Sequence, residues 1–182
     1  RLISQDKIVV VPSGMESLCL NGVIGFEAGE SRDLYSLGRD NISLKIQAYE
    51  GVYRHLSAKD IDMRCYKMTI EERIHIFHLA EHAYGGYSAV PGDPFFMGEI
   101  GDVDILICPL PISDDPRELD RFFQFLERLN PDVIIPSHLA ELGQREANSS
   151  GGAYSRAYEL LERIGKDFAV MTWGDSVKIG HI

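Results

Sequence analysis

A chain of 182 residues with 45% hydrophobic and 25% charged residues has the composition of one globular domain with a sizeable core. Its net charge of −10 argues against nucleic acid or an anionic membrane as a partner, because such partners require a basic face. No apolar run approaches the roughly 18 residues that a membrane helix needs, so a soluble protein is expected.

The three cysteines, Cys19, Cys65 and Cys108, are widely spaced and form no Cys-x-x-Cys pair. This pattern does not predict a disulfide framework, and it favours a reducing, cytoplasmic location. The chain shows no signal-peptide pattern at its start. Because residue 1 is Arg rather than Met, we do not expect Arg1 to be the natural beginning.

The first half of the chain is dominated by predicted strands. Ile8 to Val11 and Val23 to Phe26 are short apolar runs, each typical of a strand. Glu27 to Arg32 is predicted to be a polar connector. A period of two over Ile42 to Tyr49 predicts a strand with one buried face, whereas Glu50 to Asp62 carries no period and is predicted to be a loop.

Two further alternating runs, Cys65 to Ile70 and Arg73 to Leu79, are separated only by Glu71-Glu72. They predict a hairpin, although Glu-Glu fits poorly to the Asn-Gly type of turn. In the second strand His75 and His78 fall on opposite faces because side chains alternate along a strand. The two histidines therefore cannot both bind one metal ion, and His78 is most simply a core histidine.

The second half alternates strands with helices. Gapless apolar runs at 103–108 and 132–136 predict strands buried on both faces. Between them Asp114 and Asp115 precede a helix with Pro116 at its first position. A second helix is predicted over about Ala153 to Ile164, ending at Gly165. A last set of runs predicts a terminal hairpin, Phe168 to Trp173 with Ser176 to Ile179.

This order of elements predicts an α/β (α+β) fold in a single domain over residues 1–182, in which two sheets pack face to face and helices cover them. Ala83 to Phe96, rich in Gly, Pro and Tyr, is predicted to be a loop over the rim of the sheet. There is no Gly-x-Ser-x-Gly, P-loop or Gly-x-Gly-x-x-Gly, so a hydrolase elbow or a nucleotide site has no support.

Three side chains are candidate metal ligands. His138 follows a buried strand, and Glu81 follows the strand that contains His78, so both are expected at a sheet rim. Divalent ions bind imidazole and carboxylate groups that converge from several segments. Asp93, in Pro91-Gly92-Asp93-Pro94, is a weaker candidate because that sequence is first of all a turn. The alternative for His138 is a histidine that hydrogen-bonds a neighbour and binds no metal.

These residues resemble the metallo-β-lactamase fold superfamily, specifically its group of small metal-dependent hydrolases of the lactonase type. The resemblance lies in His78-Leu79-Ala80-Glu81, where the family has His-x-Gly-Asp, in Ile100 to Leu106, and in Pro131 to His138, where the family has a strand ending in Pro-x-His. It implies an αββα sandwich with one or two divalent metal ions, commonly zinc, on its rim. It further implies hydrolysis of an ester, lactone or phosphoester in a small-molecule substrate, with His138 and Glu81 at ligand positions and Glu81 as the candidate catalytic group.

The chain also departs from that family. The main ligand motif, His-x-His-x-Asp-His, occurs nowhere in the sequence, and Ala80-Glu81 replaces Gly-Asp. Leu110-Pro111 stands where Gly-Gly is frequent. Two hypotheses follow: a hydrolase domain whose metal site is incomplete in this chain, or a degenerate, metal-free module that serves in binding or structure. A partial sandwich exposes an apolar sheet face, so a homo-oligomer is expected.

Overall fold

The structure is a computed structural model that describes residues 9–13, 23–35, 42–54, 60–79, 100–110, 116–137, 152–171 and 175–176. These residues form nine strands and two helices. The strands are β1 (Val9–Pro12), β2 (Val23–Phe26), β3 (Ser31–Tyr35), β4 (Ser43–Arg54), β5 (Asp60–Ile70), β6 (Ile74–His78), β7 (Ile105–Pro109), β8 (Val133–Ser137) and β9 (Asp167–Phe168). The helices are α1 (Pro116–Leu129) and α2 (Gly152–Ile164).

Seven strands form one mixed sheet in the order β3-β4-β5-β6-β7-β8-β9, and β1 and β2 form a separate parallel pair. The strands from β3 to β6 pair antiparallel, and those from β6 to β9 pair parallel. Parallel neighbours need long crossovers, which α1 supplies between β7 and β8 and α2 between β8 and β9. The predicted α/β class is confirmed.

The two faces of the large sheet bury different cores. On one face, here called the helix side, Phe77, Leu106 and Ile134 lie in one buried cluster with apolar residues of α1 and α2. On the other, the sheet side, Ile46 and Ala48 of β4 pack with residues of β1 and β2. The described chain therefore stacks helices, the large sheet and the small sheet, which are three of the four layers of an αββα sandwich.

The β5–β6 hairpin turns through Glu71 and Glu72, as predicted. Both residues have positive φ, 52° and 54°, and the amide of Arg73 donates to the Ile70 carbonyl at 3.0 Å. Two positive φ values define the type I′ turn, which normally favours Asn-Gly. Glu71 has a compensating role here, because its carboxylate accepts from the backbone amide of Ser43, and its own amide donates to the Ser43 carbonyl at 3.0 Å.

The helix boundaries follow local chemistry. Pro116 is the first residue of α1, where a missing amide hydrogen costs nothing. Phe122, Phe125 and Leu126 bury the inward stripe of this helix. α2 ends before Gly165, whose φ of +67° is the left-handed conformation that glycine adopts readily. Both predicted helices are confirmed.

The structure corrects the prediction of a loop over Glu50 to Asp62. β4 runs to Arg54 and β5 starts at Asp60, and the two strands pair in register along their whole length. β5 pairs with β6 only from Tyr66 onward, so the β4–β5 ribbon continues past the end of β6. Main-chain hydrogen bonds hold this ribbon, and a side-chain period is not required for them.

Three smaller expectations were also wrong. The predicted connector Glu27 to Arg32 includes the start of β3, which adds an edge strand beside β4. Of the predicted strand Phe168 to Trp173, Phe168 belongs to β9 and residues 169–171 have no regular structure, while residues 172–173 lie outside the described part of the chain. β8 alternates between buried and partly buried residues instead of being buried on both faces. β7, by contrast, is buried at four of its five residues.

Candidate functional site

Three parallel strands end at one edge of the large sheet. In register, His78 pairs with Ile107, Ile107 with Ile135, and Pro109 with Ser137. The amide of Leu79 donates to the Ile107 carbonyl at 2.8 Å, which extends the β6 ladder by one residue. We call the ends of β6, β7 and β8 the carboxyl edge, and the starts of these strands the amino edge. In α/β sheets ligands bind beyond the carboxyl ends of the strands.

The predicted ligands follow in sequence from this edge. His138 comes directly after Ser137, the last residue of β8, and Glu81 comes two residues after Leu79. Glu81, Asp93 and His138 all lie outside the described residues, as does the predicted loop Ala83 to Phe96. Their assignment as ligands stays a prediction. Among the residues that are described, no three His, Cys, Asp or Glu side chains form a group that fits a metal ion.

An apolar floor lies directly below the carboxyl edge. Leu79, Cys108 and Leu110 are each at most 2% exposed and belong to the helix-side core. Complete burial raises the pKa of the Cys108 thiol far above its ordinary value, because the thiolate would lose its hydration. The neutral thiol is therefore the favoured form of Cys108.

Two hydroxyl groups near this edge are buried on the sheet side. The Ser137 Oγ and the Tyr66 hydroxyl have no hydrogen-bond partner among the described residues. Tyr66 faces Phe26 of the small sheet, with ring centroids 6.1 Å apart and planes at 83°. Burial raises the pKa of Tyr66 to about 12, an effect that the nearby Arg64 charge partly offsets. Sequence reasoning missed both residues, and strand alternation alone does not reveal a buried hydroxyl.

The side chain of Arg64 is also buried near this edge. Its guanidinium Nη2 lies 3.8 Å from Glu27 Oε2, and the Glu27 side chain is 70% exposed. An ion pair at this distance with one exposed partner contributes little to stability. Arg64 is thus a buried cation on the sheet side of β5, directly before Cys65 in the sequence.

His75 lies at the other end of β6, at the amino edge. Its Nδ1 is 3.2 Å from Thr69 Oγ1 on the helix side, whereas His78 pairs in register with Tyr66 on the sheet side. The prediction that His75 and His78 occupy opposite faces is confirmed. Leu79 is four positions after His75 along the strand, a distance of about 13 Å. His75 is accordingly remote from the candidate metal site.

Asp104 organises the amino edge. Its Oδ2 accepts from the His75 amide at 2.6 Å, and its amide donates to the His75 carbonyl at 2.9 Å. Its carbonyl accepts from the amides of Asp132 and Val133 at 3.0 and 2.9 Å. One residue thus joins β6, β7 and β8 at their starts.

Lys67 binds the backbone just before the turn that leads into β7. Its Nζ donates to the Ile100 carbonyl at 2.5 Å, just before Gly101. Partial burial lowers the pKa of Lys67, and the carboxylates of Asp102 and Asp104 act in the opposite direction. Gly101 has a φ of +67°, which the turn into β7 requires and which other residues adopt only with strain. Lys67 and Gly101 together fix the start of the turn that leads into β7.

No helix in the described part of the chain is long and apolar enough to cross a membrane. No protein-family model matches the chain, and no curated protein does either. Among solved structures it is similar to Igni18, described as a novel metallo hydrolase from the hyperthermophilic archaeon Ignicoccus hospitalis KIN4/I. The two share 14% sequence identity at a TM-score of 0.46, over 88% of this chain and 62% of that one. The chain spans less than two thirds of the length of Igni18, and the similarity extends to the fold at most.

Proposed function

We propose that this chain is a metallo-hydrolase-like domain whose carboxyl edge carries a degenerate or incomplete site for a divalent metal ion, with zinc as the first candidate. The observation behind the proposal is the register of β6, β7 and β8, which end together at the edge from which the chain continues toward Glu81 and His138. The acidic composition favours a small-molecule substrate over nucleic acid or a membrane, in one cytoplasmic domain over residues 1–182.

The buried Ser137 hydroxyl fits a polar site at this edge, because a buried donor without a partner is costly unless a ligand or a polar neighbour satisfies it. In the proposed site the His138 imidazole and the Glu81 carboxylate would hold the ion, with Asp93 as a further oxygen donor. Such an ion, when bound, acts as a Lewis acid toward an ester, lactone or phosphoester. The Glu81 carboxylate would also orient the attacking water through a hydrogen bond.

The two main candidate ligands, His138 and Glu81, are fewer than the three protein ligands of a tight catalytic zinc site, so we expect weak binding. After dialysis of the zinc-loaded protein, elemental analysis should give less than one zinc per chain. The zinc content should fall further in His138→Ala and in Glu81→Ala. His75→Ala is the matched control, because this histidine lies at the opposite end of β6, and it should keep the wild-type content.

Three other results of the zinc measurement would each change this proposal. One tightly held zinc per chain would overturn the degenerate site and favour a complete hydrolase centre. Zinc retained in both His138→Ala and Glu81→Ala would show that the site lies elsewhere. Zinc absent from the wild-type protein even before dialysis would favour a non-catalytic module.

A second candidate function is that of a self-associating, non-catalytic module. It is favoured by aliphatic residues of β6, β7 and β8 that are only partly buried on the sheet side; these are Ile74, Ile76, Ile107, Val133 and Ile135. Partly exposed apolar patches of this kind mark association surfaces.

Light scattering should therefore show a dimer or larger assembly for the wild-type protein and a smaller species for Ile107→Asp. Glu72→Lys, in the exposed β5–β6 turn, is the control and should leave the mass unchanged. Circular dichroism establishes that each variant is folded. A monodisperse wild-type monomer would overturn self-association.

A further inference from the structure

An open groove of about 510 Å³ lies between the last turns of α1 and α2. Seven residues line it: Phe123, Leu126, Glu127, Asn130, Arg163, Ile164 and Lys166. α1 ends four positions before the first residue of β8, and α2 ends three positions before the first residue of β9. The groove therefore lies at the amino edge of the sheet, away from the carboxyl edge where the metal site is proposed. Its volume falls in the range of small-molecule sites.

The floor of the groove is apolar. Leu126 is 4% exposed and belongs to the helix-side core. Phe123 and Ile164 are partly buried and pack against the same core. A ligand with a hydrocarbon or aromatic body would pack against apolar side chains of both helices here and would bury more of their apolar surface.

The wall of the groove carries two cations. The guanidinium carbon of Arg163 lies over the Phe123 ring, 5.7 Å from its centroid, which is within the range of a cation–π contact. Within the described residues Arg163 makes no ion pair. Lys166 Nζ donates to Asn130 Oδ1 at 2.7 Å, and an ammonium group has two further hydrogens to donate. With Glu127 the lining has a net charge of +1 (two cations and one anion), in a chain whose net charge is −10.

Basic residues in a last helical turn also stabilise the helix dipole, which is the simpler explanation of Arg163. That explanation does not account for the position of the Arg163 guanidinium over the Phe123 ring of α1. Nor does it account for the hydrogen bond from Lys166 to Asn130, the residue that follows α1. Both contacts hold a cation at the wall of one groove with an apolar floor. The charge and the floor together are complementary to a molecule that is apolar at one end and anionic at the other.

We propose that this groove binds a small amphipathic anion, with its apolar body against Phe123, Leu126 and Ile164 and its anionic group between Arg163 and Lys166. Binding at this place is independent of any metal at the carboxyl edge. It uses charge-assisted hydrogen bonds to the anion, which are the stronger class of hydrogen bond.

The probe is 4-phenylbutyrate, and its uncharged counterpart is 4-phenylbutanol, which has the same apolar body. Titration of the isotopically labelled full chain, followed by NMR, should shift the backbone amides of residues 123–130 and 160–166. The carboxylate should bind about a hundredfold more tightly than the alcohol, because the alcohol lacks the charge-assisted contacts to both cations. Shifts at Leu79, Leu110 and Ser137 in place of the groove would overturn the proposal.

Variants separate a binding role of the cations from a role in helix stability. Arg163→Gln and Lys166→Gln should each weaken 4-phenylbutyrate about tenfold and leave 4-phenylbutanol nearly unchanged. Arg128→Gln is the matched control, since it removes a cation from the last turn of α1 that does not line the groove. Equal affinity for the carboxylate in the wild type and in the Arg163→Gln, Lys166→Gln double variant would overturn the proposal.

Discussion

The two edges of β6, β7 and β8 differ in how their polar atoms are satisfied. At the amino edge, both backbone groups and the carboxylate of Asp104 are hydrogen-bonded to β6 or β8. At the carboxyl edge, the Ser137 and Tyr66 hydroxyls are buried without a partner among the described residues. Buried polar groups are normally paired, and exceptions concentrate at sites with a function. Asp104 thus stabilises the amino edge, whereas the described residues leave two buried hydroxyls near the carboxyl edge without a partner.

The largest effect is expected at the amino edge. Asp104→Ala removes the acceptor of the His75 amide, a charge-assisted bond between β6 and β7. Leaving that amide unpaired should lower the free energy of unfolding by about 2 kcal/mol. Urea unfolding followed by circular dichroism measures this free energy, and its dependence on urea concentration (the m value) should not change.

Asp132→Ala is the matched control for this prediction. It removes an exposed carboxylate next to the same backbone amides, and that carboxylate makes no hydrogen bond with the described residues. Its effect should stay within about 0.5 kcal/mol. An equal loss in both variants would show that the local negative charge, and not the bond to His75, stabilises the edge.

The sequence predicted the elements whose side chains carry a period. β4 follows from the alternation of Leu44, Ile46 and Ala48, of which Ile46 and Ala48 are buried as expected. α2 was bounded by Gly165, which needs its positive φ to end the helix. In these places local chemistry and tertiary packing agree, so a pattern in one predicts the other.

The missed features depend on partners that are distant in the sequence. β3 is a polar edge strand, and it exists because β4 supplies its hydrogen-bond ladder. The far end of the β4–β5 ribbon is likewise held by main-chain pairing between residues 50–54 and 60–64. The Asp104 carboxylate accepts from the amide of His75, which is 29 residues away in the sequence, and only the register reveals this pairing. The ring of Tyr66 packs against Phe26 of the other sheet, and no local sequence pattern indicates this contact.

The substitution Tyr66→Phe tests the buried hydroxyl near the carboxyl edge. This change removes a buried hydroxyl without a partner in the described chain and leaves the contact of the ring with Phe26. At pH 7 the free energy of unfolding should stay unchanged or rise by up to about 1 kcal/mol, because no hydrogen bond is lost. Tyr158→Phe, which removes an exposed hydroxyl from α2, should have no effect. A loss of more than about 1 kcal/mol in Tyr66→Phe would show that the hydroxyl is paired.

Alkaline pH gives a second measurement on the same variant. The pKa of Tyr66 is raised from 10.0 to about 12 in the folded chain, so the folded state holds this proton more tightly than the unfolded state. That preference stabilises the wild-type protein fully below pH 10 and is lost as the pH rises through about 12. Tyr66→Phe lacks this contribution, so its stability relative to the wild type should increase across that interval. Because the side chain is only partly buried, solvent screening reduces the change to the order of 1 kcal/mol. A constant difference between the two proteins from pH 9 to 12 would show that the hydroxyl is hydrated, and the contrast between the two edges would then rest on Ser137 alone.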